Sequence, residues 1–588
     1  MRTSTEPPAS PSGRPATSGP SRSAVAGPVI PVAGWLVGAL VYFRDVWRSG
    51  FDHLMGNDGD TRLIAYICEH WFRAMHGQGS WRNMPFFTPV KDLLGWSDAF
   101  FLYQVLYAPL RELGCGPVLA LQLTLIGLSA LGFITFYVLV RTWLRAPAPI
   151  ALAGAGLFTF ANNLYLHAST AQLAGIYLIP PVVLTARRAW FWRAARPRRS
   201  AGLAAAAGLL WGLVFFTTYY AAAFSAIAFG GALVWSLLLR RRVAWRWLRS
   251  APALPVAAGL GALVLGLLPV AAIYLPAHSS LGGVSYDLVT GYAVSIRGLA
   301  NVGPGNLFWS SLFRHLHKSL ALDSYEGTYA LTPLLSLAVI AGGVWLARLL
   351  HQRRPTSVTG ADMERADVAP AHRATLAPDP PPSRPWAGLI LALTAVSIML
   401  LPVKLAGHPP WLALWVLPGF DAIRAIDRVE VMAGAVAALA LVAIASEAWA
   451  AARARSSRTL GIAVAVGLAL IVVEQIDSAS VADINRKAQD HLLASVTRAP
   501  AGCHWFYVVD RSNPLLPFYE SQIDAMFVAD RTGVPTVNGY TGYNPAGWNM
   551  EEIGAPTYLA AVQSWAAQEH LDSGACHLDL GTMKWGPG

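Results

Sequence analysis

Charged residues are scarce in this chain. They make up 13% of the 588 residues, against roughly 25% in ordinary soluble domains. Hydrophobic residues account for 54%, and the mean hydropathy is +0.43. The length alone would allow several soluble domains, but this composition excludes them and indicates a polytopic membrane protein.

Cysteine is also scarce, with four residues in all. None has the short Cys-to-Cys spacing of a zinc site. Cys503 and Cys576 lie in the same polar tail, where two free thiols or a disulfide formed in an oxidising compartment are both open alternatives. The net charge is +11. No basic patch lies on a soluble stretch, however, so no nucleic-acid partner is expected.

The connections between the apolar runs are of two kinds, and the two kinds alternate. One kind is longer and carries most of the acids, amides and aromatics. The other kind is rich in arginine, at residues 2–22, 141–145, 187–199, 240–249, 348–373 and 453–458. Because arginine-rich loops favour the cytoplasm, the longer connections are predicted to lie outside, among them residues 44–98 and 276–327.

About eleven transmembrane spans are predicted from length and hydropathy. They lie near residues 26–43, 117–140, 147–162, 171–186, 201–220, 221–239, 252–275, 328–349, 386–403, 429–450 and 459–475. The first lacks a following small-residue cleavage site and is predicted to be a retained signal anchor. A crossing at Ala99–Leu113 would turn every later arginine cluster outward, so this segment is predicted to be interfacial or re-entrant.

The predicted fold is therefore an α-helical membrane domain followed by a small α/β soluble domain. The expected divisions are a disordered cytoplasmic leader (1–26), a transmembrane domain (27–475) with a disordered cytoplasmic loop (351–385), and an extracytoplasmic domain (476–588). Smaller elements are expected at Thr61–Met75 (helix), Trp505–Val509 (strand), Asn538–Pro545 (loop) and Ala555–His570 (helix).

The run Asn57-Asp58-Gly59-Asp60 is the first candidate site. Two carboxylates two residues apart can hold a divalent ion, or one can act as a base while the other tunes it. The alternative is a turn followed by the N-cap of the helix beginning near Thr61, since aspartate is a preferred cap. No metal or other cofactor is predicted, although binding of a divalent ion by Asp58 and Asp60 is left open.

In architecture the chain resembles the GT-C superfamily of integral membrane glycosyltransferases. The resemblance rests on a short first span, a long outer loop with an early acid, about eleven spans and a soluble outer tail. In sequence it rests on Gly59-Asp60 and on the Asn-Gly-Tyr-x-Gly-Tyr-x-Pro stretch at Asn538–Pro545. It implies an enzyme that takes a sugar from a polyprenyl-phosphate carrier and passes it to an acceptor outside the membrane.

The resemblance also implies that an acid of the first outer loop is the catalytic base. Asp60 is the leading candidate, Asp58 the second and Asp52 the third. A carboxylate within hydrogen-bond reach takes the proton of the acceptor hydroxyl, and direct attack inverts the anomeric centre. Asp98 is a further acid of the same loop, with the N-cap of the following helix as its alternative role.

A phosphate-linked donor needs positive charge near its leaving group. Arg424 and Arg428 lie on the outer side, against the positive-inside trend, and four residues apart, so on a helix they share a face. Their alternative roles are pairing with nearby acids or snorkelling to headgroups. A second basic set, in loop 276–327, comprises Arg297, Arg314, His315, His317 and Lys318. Its alternative is a headgroup-facing amphipathic helix.

The expected partners are a polyprenyl-phosphate sugar donor, a glycan, lipid or protein acceptor, and membrane lipids. The expected location is the bacterial plasma membrane. A transporter or flippase of lipid-linked envelope precursors is the alternative function, although few ionisable residues lie within the spans and no matching halves are found. A non-catalytic envelope-assembly protein with the same fold is a further alternative. Oligosaccharyltransferase activity is less favoured, because the tail contains no Trp-Trp-Asp-type motif.

Overall fold

The computed structural model describes residues 26–312, 315, 331–353, 383–509 and 517–588. Helices dominate it: α1 Ala26–Tyr42, α2 Arg44–Arg48, α3 Asp60–Met75, α4 Gln104–Glu112, α5 Pro117–Trp143, α6 Ala148–Thr159, α7 Asn162–Leu166, α8 Ile179–Trp192, α9 Pro197–Thr217, α10 Tyr219–Arg249, α11 Ala253–Leu281, α12 Tyr286–Gly291, α13 Pro333–Gln352, α14 Arg384–Leu400, α15 Leu412–Trp415, α16 Glu430–Ala454, α17 Arg458–Val473, α18 Arg486–Ser495, α19 Phe518–Thr532 and α20 Tyr558–Gln568. The strands are β1 His53–Leu54, β2 Ile484–Asn485, β3 Trp505–Val509, β4 Ala575–Asp579 and β5 Lys584–Pro587.

Six of the described helices are long and apolar enough to cross a membrane: α5, α9, α10, α11, α13 and α16 with its preceding turn. Each falls on a predicted span. The other five predicted spans also contain helices, but these are shorter; α6, for example, has 12 residues and rises about 18 Å, against a hydrocarbon core of about 30 Å. The total of eleven spans therefore stays a prediction, while the helical membrane fold is confirmed.

The segment Ala99–Leu113 does not form a spanning helix. It contains a short 3-10 turn and then α4, which has nine residues and rises about 14 Å. One face of α4 is buried against α3 and α5. This agrees with the prediction that the segment does not cross the membrane.

Small residues allow α9 and α11 to pack closely. A Cβ built on Gly208 would lie 2.0 Å from the Gly259 carbonyl oxygen, and one on Gly212 would lie 2.8 Å from Gly266 Cα. Glycine is the residue that lets two apolar helices approach to this distance. The most buried apolar helix is α16, which packs against α6, α13 and α14 at the centre of the bundle.

The arginine-rich connections meet at one end of the bundle. The Arg240 guanidinium, at a kink in the C-terminal part of α10, lies 5.1 Å from the Trp386 ring near the start of α14. Arg353 pairs with Glu447 at 3.6 Å, which joins the ends of α13 and α16. Further contacts at this end are Arg187 with Thr142, Ser200 with Ala189, and Trp190 with Trp247.

The longer connections meet at the opposite end. Arg44, just after α1, donates hydrogen bonds to the Tyr165 hydroxyl at 2.8 Å and to the Ala479 carbonyl at 2.9 Å. Asp98 accepts from the Tyr219 backbone N–H at 2.6 Å. The two kinds of connection are thus segregated as predicted. Which end faces the cytoplasm stays a prediction.

The C-terminal segment forms a small α/β unit on that second end. Its sheet has the order β3-β4-β5, with β3 parallel to β4 and β4 antiparallel to β5. The strand predicted at Trp505–Val509 is confirmed, and the predicted helix Ala555–His570 is shorter, at Tyr558–Gln568. Cys503, two residues before β3, and Cys576 in β4 are joined by a disulfide.

The predicted helix at Thr61–Met75 is confirmed as α3, and it is enclosed rather than solvated. Residues 61–71 are all buried. Two contacts hold it against α19: Arg62 forms an ion pair with Asp524, and the Tyr66 ring lies edge-on to Phe527 at 5.5 Å. The first long loop and the C-terminal unit therefore form one packed layer over the end of the bundle.

Candidate functional site

Asp60 is the first residue of α3 and is half-buried. Its Oδ1 accepts a hydrogen bond from the Tyr540 hydroxyl at 3.1 Å. The preceding Gly59 is closely covered, since a Cβ there would lie 3.5 Å from the Tyr519 ring and 3.6 Å from the Tyr540 hydroxyl. The candidate base and the candidate C-terminal loop, which are 480 residues apart in sequence, therefore meet directly.

The loop that carries Tyr540 is anchored to the rest of the C-terminal unit by Asn538. This amide is fully buried. It donates to Gln522 Oε1 and to the Tyr558 hydroxyl, each at 3.0 Å, and accepts from the Val508 N–H at 2.9 Å. A buried amide whose donors and acceptor are all paired fixes its surroundings firmly. The position of Tyr540 is thus set by the folded C-terminal unit.

The same loop also contacts Arg424. Arg424 Nη1 donates to the Gly542 carbonyl at 2.9 Å. Burial raises the pKa of Tyr540, and the charge of Asp60 adds to this rise, while Arg424 opposes it. The hydroxyl therefore stays protonated near neutral pH and acts as a donor to the carboxylate. A carboxylate and a guanidinium thus contact the same loop, at Tyr540 and at Gly542.

Arg428 lies deeper than Arg424. It is buried, with its guanidinium carbon 5.6 Å from the centre of the Tyr220 ring. The expectation that Arg424 and Arg428 share a helical face is wrong: the backbone at Ile423 and Ala425 is extended or irregular, and a 3-10 turn begins only at Ile426. The two arginines are instead placed by an irregular segment that leads into α16.

Asp98 lies near this basic segment and caps a helix, although not the one that follows it. Its Oδ1 accepts from the Tyr219 N–H at the start of α10. Burial raises the pKa of Asp98 to about 6, against the opposing effects of that hydrogen bond and of the Arg428 charge. The expected cap of the following helix is therefore wrong, since the turn after Asp98 has no side-chain cap. The role of Asp98 as a further acid of the loop stays a prediction.

Two further aromatic rings lie near Tyr540, the residue that contacts Asp60. The Phe518 and Tyr519 rings lie 6.0 and 6.2 Å from the Tyr540 ring. Rings of this kind offer flat apolar faces and polar edges, which suit both a prenyl chain and a sugar. Neither Phe518 nor Tyr519 was singled out from the sequence, because nothing in the local pattern shows that the start of α19 lies over α3.

Asp58 is half-buried in a different environment. Burial raises its pKa, and the nearby charges of Asp483 and Asp524 add to this rise while Arg62 opposes it. Within the described ranges, no group of three or more histidine, cysteine, aspartate or glutamate side chains could hold a metal ion. The charges that act on Asp58 are therefore those of Arg62, Asp483 and Asp524, whereas Asp60 contacts Tyr540.

Asp52 is paired away from this site. It accepts from Lys487 Nζ at 2.6 Å and lies 3.3 Å from Arg486 Nη2. The hydrogen bond from Lys487 holds the pKa of Asp52 below its ordinary value. Together with the pairing of β1 with β2, these contacts hold the first outer loop against β2 and the start of α18.

The second predicted basic set is only partly described. Arg297 is exposed and precedes a 3-10 turn at Gly298–Ala300. His315 is exposed and contacts the Ser311 carbonyl at 3.2 Å. No contact joins either residue to Asp60 or Arg424 in the described structure. Arg314, His317 and Lys318 lie outside the described residues, as do nearly all of the predicted leader and most of loop 351–385.

Neither a family model nor a curated protein matches the chain. Among solved structures, it is similar to the Archaeoglobus fulgidus oligosaccharyltransferase in complex with zinc and sulfate, at 13% identity over 93% of this chain and 67% of that one, with a TM-score of 0.47. It is also similar to the apo form of that protein, at 12% identity over 92% and 68%, with a TM-score of 0.48.

A further similarity is to ArnT from Cupriavidus metallidurans bound to undecaprenyl phosphate, at 14% identity over 95% of this chain and 93% of that one, with a TM-score of 0.42. Both proteins are of the GT-C type, the class that the sequence resembles. Similarity at this level assigns neither a substrate nor a residue role to this chain.

Proposed function

We propose that this protein is a membrane glycosyltransferase of the GT-C type, in which Asp60 acts as the general base. The observation that carries this proposal is the arrangement of Asp60, Tyr540 and Arg424. A carboxylate and a guanidinium contact the same short loop, at the end of the bundle opposite the arginine-rich connections. The contacts of a carboxylate and a guanidinium with one loop support the proposal of a base and a positive charge acting in the same site.

The proposed reaction uses the two charges at different atoms. Asp60 takes the proton from the acceptor hydroxyl while that oxygen attacks the anomeric carbon of the donor sugar. A new carbon–oxygen bond forms, and the bond from the anomeric carbon to the phosphate oxygen breaks. The phosphate leaves with the bonding electron pair and the configuration at the anomeric carbon inverts. Tyr540 holds the carboxylate in place through its hydrogen bond.

Arg424 and Arg428 are proposed to neutralise the leaving phosphate. Positive charge that is already in place where negative charge develops lowers the barrier without reorganisation, and the planar guanidinium suits phosphate oxygens. Arg428 is the more buried of the two, so its charge is less screened by solvent. Arg297 and the undescribed Arg314, His317 and Lys318 remain weaker proposals for the same role.

The proposed donor is a sugar on a polyprenyl-phosphate carrier, and the proposed acceptor is a glycan, lipid or protein outside the cytoplasm. The protein is proposed to lie in a bacterial plasma membrane with the C-terminal unit extracytoplasmic. Two features support this sidedness: the segregated arginine-rich end, and the Cys503–Cys576 disulfide, which suits an oxidising compartment. No cofactor is part of the proposal.

The proposal is tested with the purified protein in lipid nanodiscs supplied with polyprenyl-phosphate-linked sugars. A transferase consumes the donor and releases free polyprenyl phosphate, which mass spectrometry detects, and NMR of the product shows an anomeric configuration opposite to that of the donor. In proteoliposomes, a flippase would move the intact lipid across the bilayer without chemical change. An envelope-assembly protein would do neither. Either of these results would overturn the proposed reaction.

A further inference from the structure

A second polar cleft lies well away from Asp60 along the same helix. Arg73 is thirteen residues beyond Asp60 on α3, a rise of about 20 Å. α19 runs beside α3 in the same direction, since Tyr519 lies near Gly59 and Phe527 near Tyr66. The last turn of α19, with Asp530 and Arg531, therefore lies beside the last turn of α3.

This cleft has a volume of about 320 Å³ and opens between α3, α4, α18 and α19. Its polar lining consists of Glu69, Arg73, Arg111, Asp490, Asp530 and Arg531. None of these residues belongs to the site around Asp60. The cleft is therefore a separate feature, and its binding properties do not depend on the transferase proposal.

Two of the six charges, Glu69 and Arg111, neutralise each other. Arg111 donates from Nε to Glu69 Oε2 at 2.6 Å and from Nη2 to Oε1 at 2.8 Å. A third charge, Asp490, is paired with Arg486 Nη1 at 3.0 Å. By contrast, the guanidinium groups of Arg73 and Arg531 make no hydrogen bond or ion pair to any described residue. Two cationic groups in the lining thus have no hydrogen-bonded or ion-paired partner among the described residues.

Asp530 is the third charged group of the lining that has no ion-pair partner. Its side chain is 6% exposed, and its Oδ2 has no hydrogen-bond partner in the described structure. Oδ1 has one long contact, to the Tyr66 hydroxyl at 3.5 Å. A buried polar atom without a partner is costly, so a lining atom of this kind points to a ligand that would satisfy it. Burial raises the pKa of Asp530 to about 7, so near neutral pH the group is often protonated and able to donate.

We propose that this cleft binds a phosphate-type oxyanion, with Arg73 and Arg531 on its oxygens and the Asp530 carboxyl group as a further hydrogen-bond donor. An anion is favoured over a cation because the lining holds two guanidinium groups without an ion-pair partner and one carboxyl group. Guanidinium groups also match phosphate oxygens geometrically. The phosphate belongs either to a soluble molecule or to a lipid headgroup.

The first experiment measures binding of inorganic phosphate to the full chain in a non-ionic detergent by calorimetry, with chloride at matched ionic strength. Arg73→Gln and Arg531→Gln are each expected to weaken binding about tenfold, as loss of one charged hydrogen bond does. The matched control is Arg498→Gln, which removes an exposed arginine of the same C-terminal unit outside the cleft. It is expected to leave the affinity unchanged.

The second arm distinguishes the source of the phosphate. Native mass spectrometry compares the phospholipid retained by the wild type and by the Arg73→Gln, Arg531→Gln double variant. Lipid that is retained by the wild type and lost from the double variant identifies a headgroup. Binding of inorganic phosphate without any difference in lipid identifies a soluble ligand. If neither phosphate nor lipid binding depends on the two arginines, the proposal is overturned.

A third arm uses sulfate, whose charge is constant near neutral pH. Binding to the wild type is expected to weaken as pH rises from about 6 to about 8, because the Asp530 carboxyl group ionises. Asp530→Asn, which stays neutral, is expected to remove this dependence. The charged or titratable groups that act on Asp530 are Tyr66, Glu69 and Arg73, all on α3. The other charged groups of the lining are Arg111 on α4, Asp490 on α18 and Arg531 on α19. An equal pH dependence in the variant would contradict the role given to Asp530.

Discussion

Replacing Tyr540 by phenylalanine removes one oxygen atom from the centre of the proposed site. The Tyr540 hydroxyl donates to Asp60 Oδ1 at 3.1 Å. The ring itself remains, and with it the packing against Phe518 and Tyr519. The loop also remains, because Asn538 holds it through hydrogen bonds that the substitution does not touch. The change therefore isolates the contribution of a single hydrogen bond to the candidate base.

The expected size of the effect derives from that contact. A hydrogen bond to a charged group contributes about 1.5–3 kcal/mol. The 3.1 Å distance is long for a hydroxyl on a carboxylate, and Asp60 is half-buried, so the lower end applies. A loss of about 1.5 kcal/mol in the transition state corresponds to a turnover roughly tenfold slower. Since the hydroxyl orients the base and does not hold the donor, kcat is expected to fall while KM changes little.

The assay is steady-state donor consumption by the protein in nanodiscs. The matched control is Tyr543→Phe, because the Tyr543 hydroxyl makes no hydrogen bond within the described residues although it lies in the same loop. This control is expected to keep wild-type turnover. Turnover of Tyr540→Phe within about twofold of the wild type, with the protein folded, would refute the role given to the hydroxyl.

Three further predictions concern stability and sidedness. The folded-state pKa of Asp98 is raised to about 6, so ionisation of this group lowers the free energy of unfolding as pH rises from about 4 to about 6. In thermal unfolding, Asp98→Asn should have the same free energy of unfolding as the wild type near pH 4. Above pH 7 its free energy of unfolding should be higher by up to about 3 kcal/mol. Cys503 and Cys576 should resist maleimide until reduction, and replacing both with serine should cost about 2–4 kcal/mol in unfolding of the C-terminal unit. In intact cells, an impermeant maleimide should label Gln78→Cys and spare Ala195→Cys, which is exposed at the arginine-rich end.

Regular periodicity made the main elements of the fold predictable from sequence. The alternating arginine-rich connections identified the two ends of the bundle, because each such connection lies beside a long apolar run. The helix after Asp58 and the strand at Trp505 were predictable because each has a clear local pattern. The lengths of the shorter membrane helices were not, since apolar composition continues past the points where α6 and α8 begin or end.

The site itself was predictable only in part. Asp60 and the Tyr540 loop could both be named as candidates, but their hydrogen bond joins residues 480 positions apart, and no local pattern specifies such a pair. The geometry of Arg424 and Arg428 could not be predicted, because their spacing matches a helix while the backbone between them is irregular. The ion pairs of Asp52 could not be predicted either, because Arg486 and Lys487 are far from Asp52 in the sequence.

The most direct test of the proposed mechanism is the turnover of Asp60→Asn with a polyprenyl-phosphate-linked donor in nanodiscs. Loss of a positioned general base is expected to slow transfer by at least about a hundredfold, with the protein still folded and abundant in the membrane. Asp58→Asn is expected to cost much less. If the Asp60→Asn, Asp58→Asn double variant transfers sugar at the wild-type rate, the assignment of these acids is wrong.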